Sequence, residues 1–234
     1  MKQRVILEVI ATTLTEVKAA AAFGADRIEL ITAMQEGGLT PSIGLIEEAV
    51  RSVSIPVNVM VRPHSRSFEY DREDIRTILS EVRHIKRAGA NAIVFGALTS
   101  KGEIDIRLLE RVLDRAGDMQ MTFHRAIDEV QNQMAALEQI LAYPQITTIL
   151  TSGGQPNVLH ASDRIRAMVE RTSGTNCTIL AGSGLSPEAA KLAPFLQATG
   201  VQQVHFGSGV RVDGKSLAPI DSERMAAVRS ILHA

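Results

Sequence analysis

The sequence predicts an α/β fold of the (β/α)8 barrel type, the TIM barrel. Three observations carry that expectation. Strand-like and helix-like segments alternate eight times from one end of the chain to the other. Such alternation calls for a parallel sheet, because each crossover helix returns the chain in the same direction. Eight units within 234 residues match a compact barrel. The first strand is followed by Ala11-Thr12-Thr13, with no glycine, where a doubly wound nucleotide-binding sheet would carry its glycine-rich turn.

The elements follow in order. Residues 5–10 read as a strand and 14–23 as the helix after it. Residues 27–31 form the second strand, and a loop over 32–40 leads to a helix over 41–52. Pro41 suits a first helical turn, where its missing N–H is not needed, and Thr40 is the expected N-cap. The third pair is 57–62 with 71–88, and the fourth is 92–98 with 106–116. The fifth is 120–124 with 134–142, and the sixth is 147–151 with 158–171. The seventh is 177–181 with 187–196, and the eighth is 203–206 with 221–232. Gly24 and Gly89 each end a helix just before a strand, where a left-handed cap is tolerated. No linker, low-complexity segment or shift in composition divides the chain, so residues 1–234 are expected to form one domain.

Five of these strands carry an ionisable residue where a buried strand should be apolar: Glu8, Glu29, Arg62, His124 and His205. The alternate face is apolar, with Leu7, Val9, Ile28, Leu30, Val59, Val61, Met121, Phe123, Val204 and Phe206. A buried charge costs several kcal/mol unless it is paired or hydrogen-bonded. Five on five strands therefore point to one converging site, and in this architecture that site lies at the C-terminal end of the strands. Arg62 and Arg125 can bind an anion or pair with the carboxylates, and His124 and His205 can move protons near neutral pH or ligate a metal. The same residues also suit an ion network that simply fills the top of the barrel.

The loops after the strands extend this set. After strand 3 the chain reads Arg62-Pro63-His64-Ser65-Arg66, rich in anion-binding groups. Strand 6 ends in Thr151-Ser152-Gly153, strand 7 in Gly182-Ser183-Gly184 and strand 8 in Gly207-Ser208. Glycine- and serine-rich turns of this kind hold phosphates in many barrels through free backbone N–H groups. Tight turns also need glycine for its own sake.

Composition narrows the classes of function. The net charge is −1, and aromatic residues make up 3% with no tryptophan. No basic stripe or stacking platform for nucleic acid is present. Cys177 is the single cysteine, which excludes an intrachain disulfide and a cysteine-rich metal site. It opens strand 7, away from the mouth, and reads as a small buried hydrophobe. No run of 18 apolar residues exists, so no membrane span is expected. Residues 1–4 pass at once into a strand without a leader-like apolar region, so a soluble, cytoplasmic protein is expected. Met34, Met60 and Met121 are candidate soft-metal ligands, although methionine on a strand is more often core filling.

Several of these segments together resemble the CutC family, the copper homeostasis proteins. They are Glu29-Leu30, the run Glu36-Gly37-Gly38-Leu39-Thr40-Pro41-Ser42, Arg62-Pro63 with Phe68 and Tyr70, Thr122-Phe123-His124-Arg125-Ala126 with Asp128, and Leu150-Thr151-Ser152-Gly153. The likeness runs from Leu7 to about Ser208. It implies a (β/α)8 barrel, cytoplasmic location, self-association as a homodimer or larger assembly, and a role in copper handling. Two positions depart from the family pattern. Ile31 stands where the family often has a cysteine proposed as a copper ligand, and His64 replaces an arginine of the strand 3 loop.

Two functions follow as expectations. The first is copper binding or trafficking, with Cu(I) as the partner. The second is an enzyme acting by acid/base chemistry on a small anionic or phosphorylated substrate. Its candidate catalytic set is Glu8, Glu29, Arg62, His124, Arg125, Asp128 and His205. His64, Arg66 and the three glycine–serine turns would bind the anion. A scaffold acting on copper indirectly is the third possibility. No particular metal site is expected from the residues alone.

Overall fold

Eight parallel strands close on themselves in sequence order, β1 pairing with both β2 and β8. The computed structural model describes residues 4–233; residues 1–3 and 234 of the expected single domain lie outside it. The strands are β1 (Ile6–Ala11), β2 (Arg27–Leu30), β3 (Val57–Met60), β4 (Ala92–Phe95), β5 (Gln120–Phe123), β6 (Ile146–Thr151), β7 (Thr178–Gly182) and β8 (Gln203–Phe206). The helices between and after them are α1 (Leu14–Ala22), α2 (Ile43–Ser52), α3 (Arg72–Arg87), α4 (Ile106–Ala116), α5 (Gln133–Leu141), α6 (Ser162–Thr172), α7 (Ala189–Thr199) and α8 (Ser222–Leu232). No helix among the described residues is long and apolar enough to cross a membrane.

Alternation along the strands sorts the side chains into two populations. One face packs against the helices: Leu7, Val9, Ile28, Leu30, Val59, Phe95, Phe123 and Phe206 belong to one large apolar core with Ile78, Val82 and Ile85 of α3. Burying each such side chain contributes roughly 1.5–3 kcal/mol. The inner face holds a small separate apolar cluster, Ile31, Met60 and Val94, packed by Ile10 and Met34. Among the buried polar residues are Glu8, Glu29, Asn58, Thr122, His124, Thr148 and His205. The interior of this barrel is therefore unusually polar.

Some boundaries differ from the expectation for tertiary reasons. Ser42, not Thr40, caps α2, accepting from Leu45 N at 3.3 Å. Thr40 is drawn away: its Oγ1 accepts from Arg62 N at 2.8 Å and donates to Glu81 at 2.8 Å. The expected helix over 158–171 is split into a 3-10 turn, Val158–Ala161, and α6. The expected start of α3 holds, with a reciprocal cap between Asp71 and Asp74.

Candidate functional site

Parallel register brings residues distant in sequence to one level of the barrel. Glu8 is registered with Arg27 on one side and His205 on the other. Glu8 Oε2 accepts from Arg27 Nε, and Glu8 Oε1 lies 2.8 Å from His205 Nδ1. Arg27 also donates to Gln203 Oε1 at 2.7 Å. Across the imidazole, His205 Nε2 stands 3.7 Å from Glu29 Oε2. These four ionisable groups form one buried network. Burial works to raise the Glu8 carboxyl, but Arg27 and His205 outweigh it and hold the group at about 2. Glu29 lacks a contact of that quality. Burial, only partly offset by His205, pushes it up to about 7. Burial disfavours protonated His205, yet Glu29 and Glu8 prevail and raise it above its ordinary value.

Arg62 and His124 form a second wall. The Arg62 guanidinium lies over the Phe68 ring at 4.5 Å, and that ring packs on His124 at 4.8 Å. Arg62 donates to the carbonyls of Glu36 at 3.2 Å and Ser65 at 3.4 Å. It is buried, and no carboxylate pairs with it among the described residues. Its Nε has no hydrogen-bond partner there. His124 Nδ1 accepts from Ala126 N at 3.2 Å. That bond leaves the ring proton of a neutral imidazole on Nε2, which also lacks a partner. Burial first, then Arg62 and Arg125, push His124 down to about 3. His124 is thus held neutral as a hydrogen-bond donor, a different role from that of a general base.

Arg125 completes this wall and is held from behind. It donates to Asp128 Oδ2 at 2.8 Å and to Ser152 Oγ at 3.1 Å. Asp128 accepts in turn from Ser152 N and Oγ, each at 2.9 Å, from Gly154 N at 3.2 Å and from Thr151 Oγ1. Thr151, Ser152, Gly154 and Asp128 therefore form a knot that fixes Arg125, and Gly153 N joins it by donating to Thr151 Oγ1 at 2.9 Å.

Between these walls lies a cavity of about 320 Å³. Glu29, Arg62, His124, Arg125 and His205 line it, with Ile10, Ile31, Met34, Met60, Leu150 and Leu185 as its apolar surface. Ser183, Gly184, Gly207 and Ser208 also line it. Ser183 adopts φ 84°, a left-handed conformation uncommon outside glycine, and its Oγ donates to Pro156 O at 2.8 Å.

The other expected site residues sit elsewhere. Glu8 is one layer deeper than Ile10 and reaches the cavity through His205. Gly182 lies beneath the cavity, where a Cβ would come within 2.7 Å of Leu150 and 3.1 Å of His205. His64 pairs with Asp74 at 3.0 Å beside Tyr70, and exposed Arg66 lies 3.7 Å from the same carboxylate. Sequence reading misses Arg27, which looks like a strand boundary, and Gly96, where a Cβ would sit 2.6 Å from His124 Nδ1.

The molecule is thus a (β/α)8 barrel with a small, mixed polar and apolar cavity at the C-terminal ends of its strands. The CutC family model matches residues 5–210. A CutC family protein of Photobacterium profundum is 38% identical over 91% of this chain and 83% of its own. The human copper homeostasis protein cutC homolog is 35% identical over 83% of this chain and 72% of its own. The solved structure of CutC from Streptococcus agalactiae superposes with a TM-score of 0.79 at 29% identity, covering 86% of this chain and 97% of that one. The chain belongs to the CutC family.

Proposed function

We propose that the cavity binds a small anionic molecule and supports acid/base chemistry on it. One observation carries this reading: Arg62 is buried at the cavity wall without a carboxylate partner among the described residues. An uncompensated guanidinium is costly to bury. An anion from solution would supply the missing counter-charge; Arg62 Nε and His124 Nε2, both buried and without acceptors among the described residues, are the donors that a small side-chain movement would turn to it. Arg125 adds a third donor. On the opposite wall Glu29, held near neutrality, exchanges a proton with the bound molecule, and Glu8 steadies His205 beside it. The apolar surface limits the ligand to a compact molecule with an apolar body. The turns at Ser183-Gly184 and Gly207-Ser208 contribute to the rim.

Titration of the purified chain with inorganic phosphate and small carboxylates, followed by calorimetry, tests this. Arg62→Gln should weaken binding by about 10–100-fold, the equivalent of losing charge-assisted hydrogen bonds worth roughly 1.5–3 kcal/mol. Equal affinity in Arg62→Gln, or no saturable anion binding at all, would rule the reading out.

Copper is the second reading, supported by two thioethers, Met34 and Met60, that line the same cavity as His205. The donor set contains no thiolate: Ile31 lines the cavity, while Cys177 is buried just before β7 and absent from that lining. Burial pushes the Cys177 thiol up to about 12. Competition for Cu(I) against a chelator under reducing conditions decides this reading. Cytoplasmic location and self-association belong to the same proposal, and light scattering of the purified chain checks the second.

A further inference from the structure

We propose that the barrel floor takes a divalent cation of the zinc or manganese class between His205 Nε2 and the Glu29 carboxylate. This deepens the reading of the same cavity, but it rests on the wall opposite the Arg62 donors. His205 Nε2 and Glu29 Oε2 are 3.7 Å apart, too far for a hydrogen bond, and both residues line the cavity. Two ligands each about 2.0–2.2 Å from one ion stand on the order of 3–3.5 Å apart, so a small closing movement suffices.

A second observation points the same way. Glu29 Oε1 is buried, in a residue only 2% exposed, and has no hydrogen-bond partner among the described residues. An oxygen so placed lacks the donor or cation that would justify its burial. Glu8 supplies the remaining part. Its Oε1 holds His205 Nδ1 at 2.8 Å, which turns Nε2 toward Glu29. A carboxylate behind a histidine in this way fixes the tautomer and orientation that a metal-binding imidazole needs. Arg27 occupies Glu8 Oε2, so Glu8 orients His205 instead of ligating. The three residues place one candidate ligand atom each within 4.8 Å of one another.

The donor types select the ion. One imidazole and carboxylate oxygen suit borderline and hard divalent cations, whereas Cu(I) prefers sulfur. With only two protein residues ligating, the other coordination positions open onto the cavity. A cation there would face the anion held by Arg62, His124 and Arg125. A proton confined between Glu29 and His205, with no cation, is the alternative that must be told apart.

The test uses the chelator-treated protein, titrated with Zn2+ by calorimetry and with Mn2+ by electron paramagnetic resonance. Imidazole nitrogen NMR follows the histidines. One cation per chain should bind, and the His205 Nε2 resonance should shift while His124 stays unmoved. Glu29→Gln and His205→Gln should abolish binding, and Glu8→Gln should weaken it by about 10–100-fold, the usual effect of losing an orienting partner. Where a variant fails to fold, the His205 resonance of the unaltered protein decides. No saturable site up to millimolar cation would overturn the proposal, as would unchanged binding in Glu29→Gln and His205→Gln, a shift at His124 only, or Cu(I) binding tighter than Zn2+. Phosphate titration of the metal-free protein isolates the anion reading. If phosphate fails and the cation binds, only that reading falls; the reverse result removes only the cation.

Discussion

His124 owes its place to a residue with no side chain. At Gly96 a Cβ would lie 2.6 Å from His124 Nδ1 and 3.1 Å from the Ala126 Cβ. The first of these displaces the imidazole, whose Nδ1 is already committed to Ala126 N. Gly96→Ala should therefore cost about 1–3 kcal/mol of stability through overpacking. It should also weaken phosphate binding, because the Nε2 donor swings off the cavity wall. Thermal melts with a parallel phosphate titration check both; unaltered phosphate affinity would show that His124 Nε2 is not a ligand donor. Asp128 acts differently. It touches Arg125 and the end of β6 but does not itself line the cavity, so it is a positioning residue. Asp128→Asn should raise the dissociation constant for phosphate, through a loosened Arg125, and leave the His205 environment unchanged by NMR.

At the scale of elements, the order of strands and helices was legible because each carries its own periodicity and needs no distant partner to declare itself. The boundaries were legible only where the cap is local. Asp71 with Asp74 starts α3 through bonds within four residues. Thr40 looked like a cap on the same grounds, yet its hydroxyl serves Arg62 and Glu81, contacts that no local spacing discloses. The segment after β8 contains a further example. Arg211 is 1% exposed and bonds Glu16 of α1, Ala218 O at 2.8 Å and Ile10 O at 3.3 Å. It ties the last loop and the first helix to the rim of β1. Arg211→Met keeps the length of the side chain but takes the counter-charge from Glu16, leaving it Thr12 N and Oγ1 at 2.8 Å each, so it should cost about 3–5 kcal/mol, as loss of one partner of a buried pair does. Urea unfolding measures this, and a cost under ~1 kcal/mol would show that Glu16 is adequately satisfied by Thr12 and water.

For the molecule as a whole, the alternation of Glu8, Glu29, Arg62, His124 and His205 with apolar neighbours disclosed that the barrel interior is polar. It did not disclose the division of labour, because pairing depends on register: Glu8 meets Arg27 and His205 across two strands, whereas Arg62 meets no carboxylate among the described residues. That division makes stability depend on pH in a calculable direction. His124 is neutral in the fold, pushed to about 3 from an ordinary 6.5 by burial and then by Arg62 and Arg125. Between those values the unfolded chain binds a proton that the folded chain refuses, so stability falls as pH falls from 6.5 toward 3. Glu8 adds to the loss below its ordinary 4.5, since its folded value is about 2 and its stabilisation disappears as pH falls through that range. Glu29 has the opposite sign: its raised value contributes stability below 4.5 that is lost as pH rises through about 7. Comparing the protein with His124→Gln isolates one group, because the Glu8 and Glu29 contributions cancel in the difference. Between pH 6.5 and 4.5 the parent should lose up to about 3 kcal/mol more than the variant, at ~1.4 kcal/mol per pH unit. Urea melts at stepped pH read the change with pH, which is independent of whatever the substitution costs at neutrality. Parallel curves for the two proteins would mean that His124 is protonated inside the fold, and the donor role assigned to its Nε2 would have to be redrawn with a charge on it.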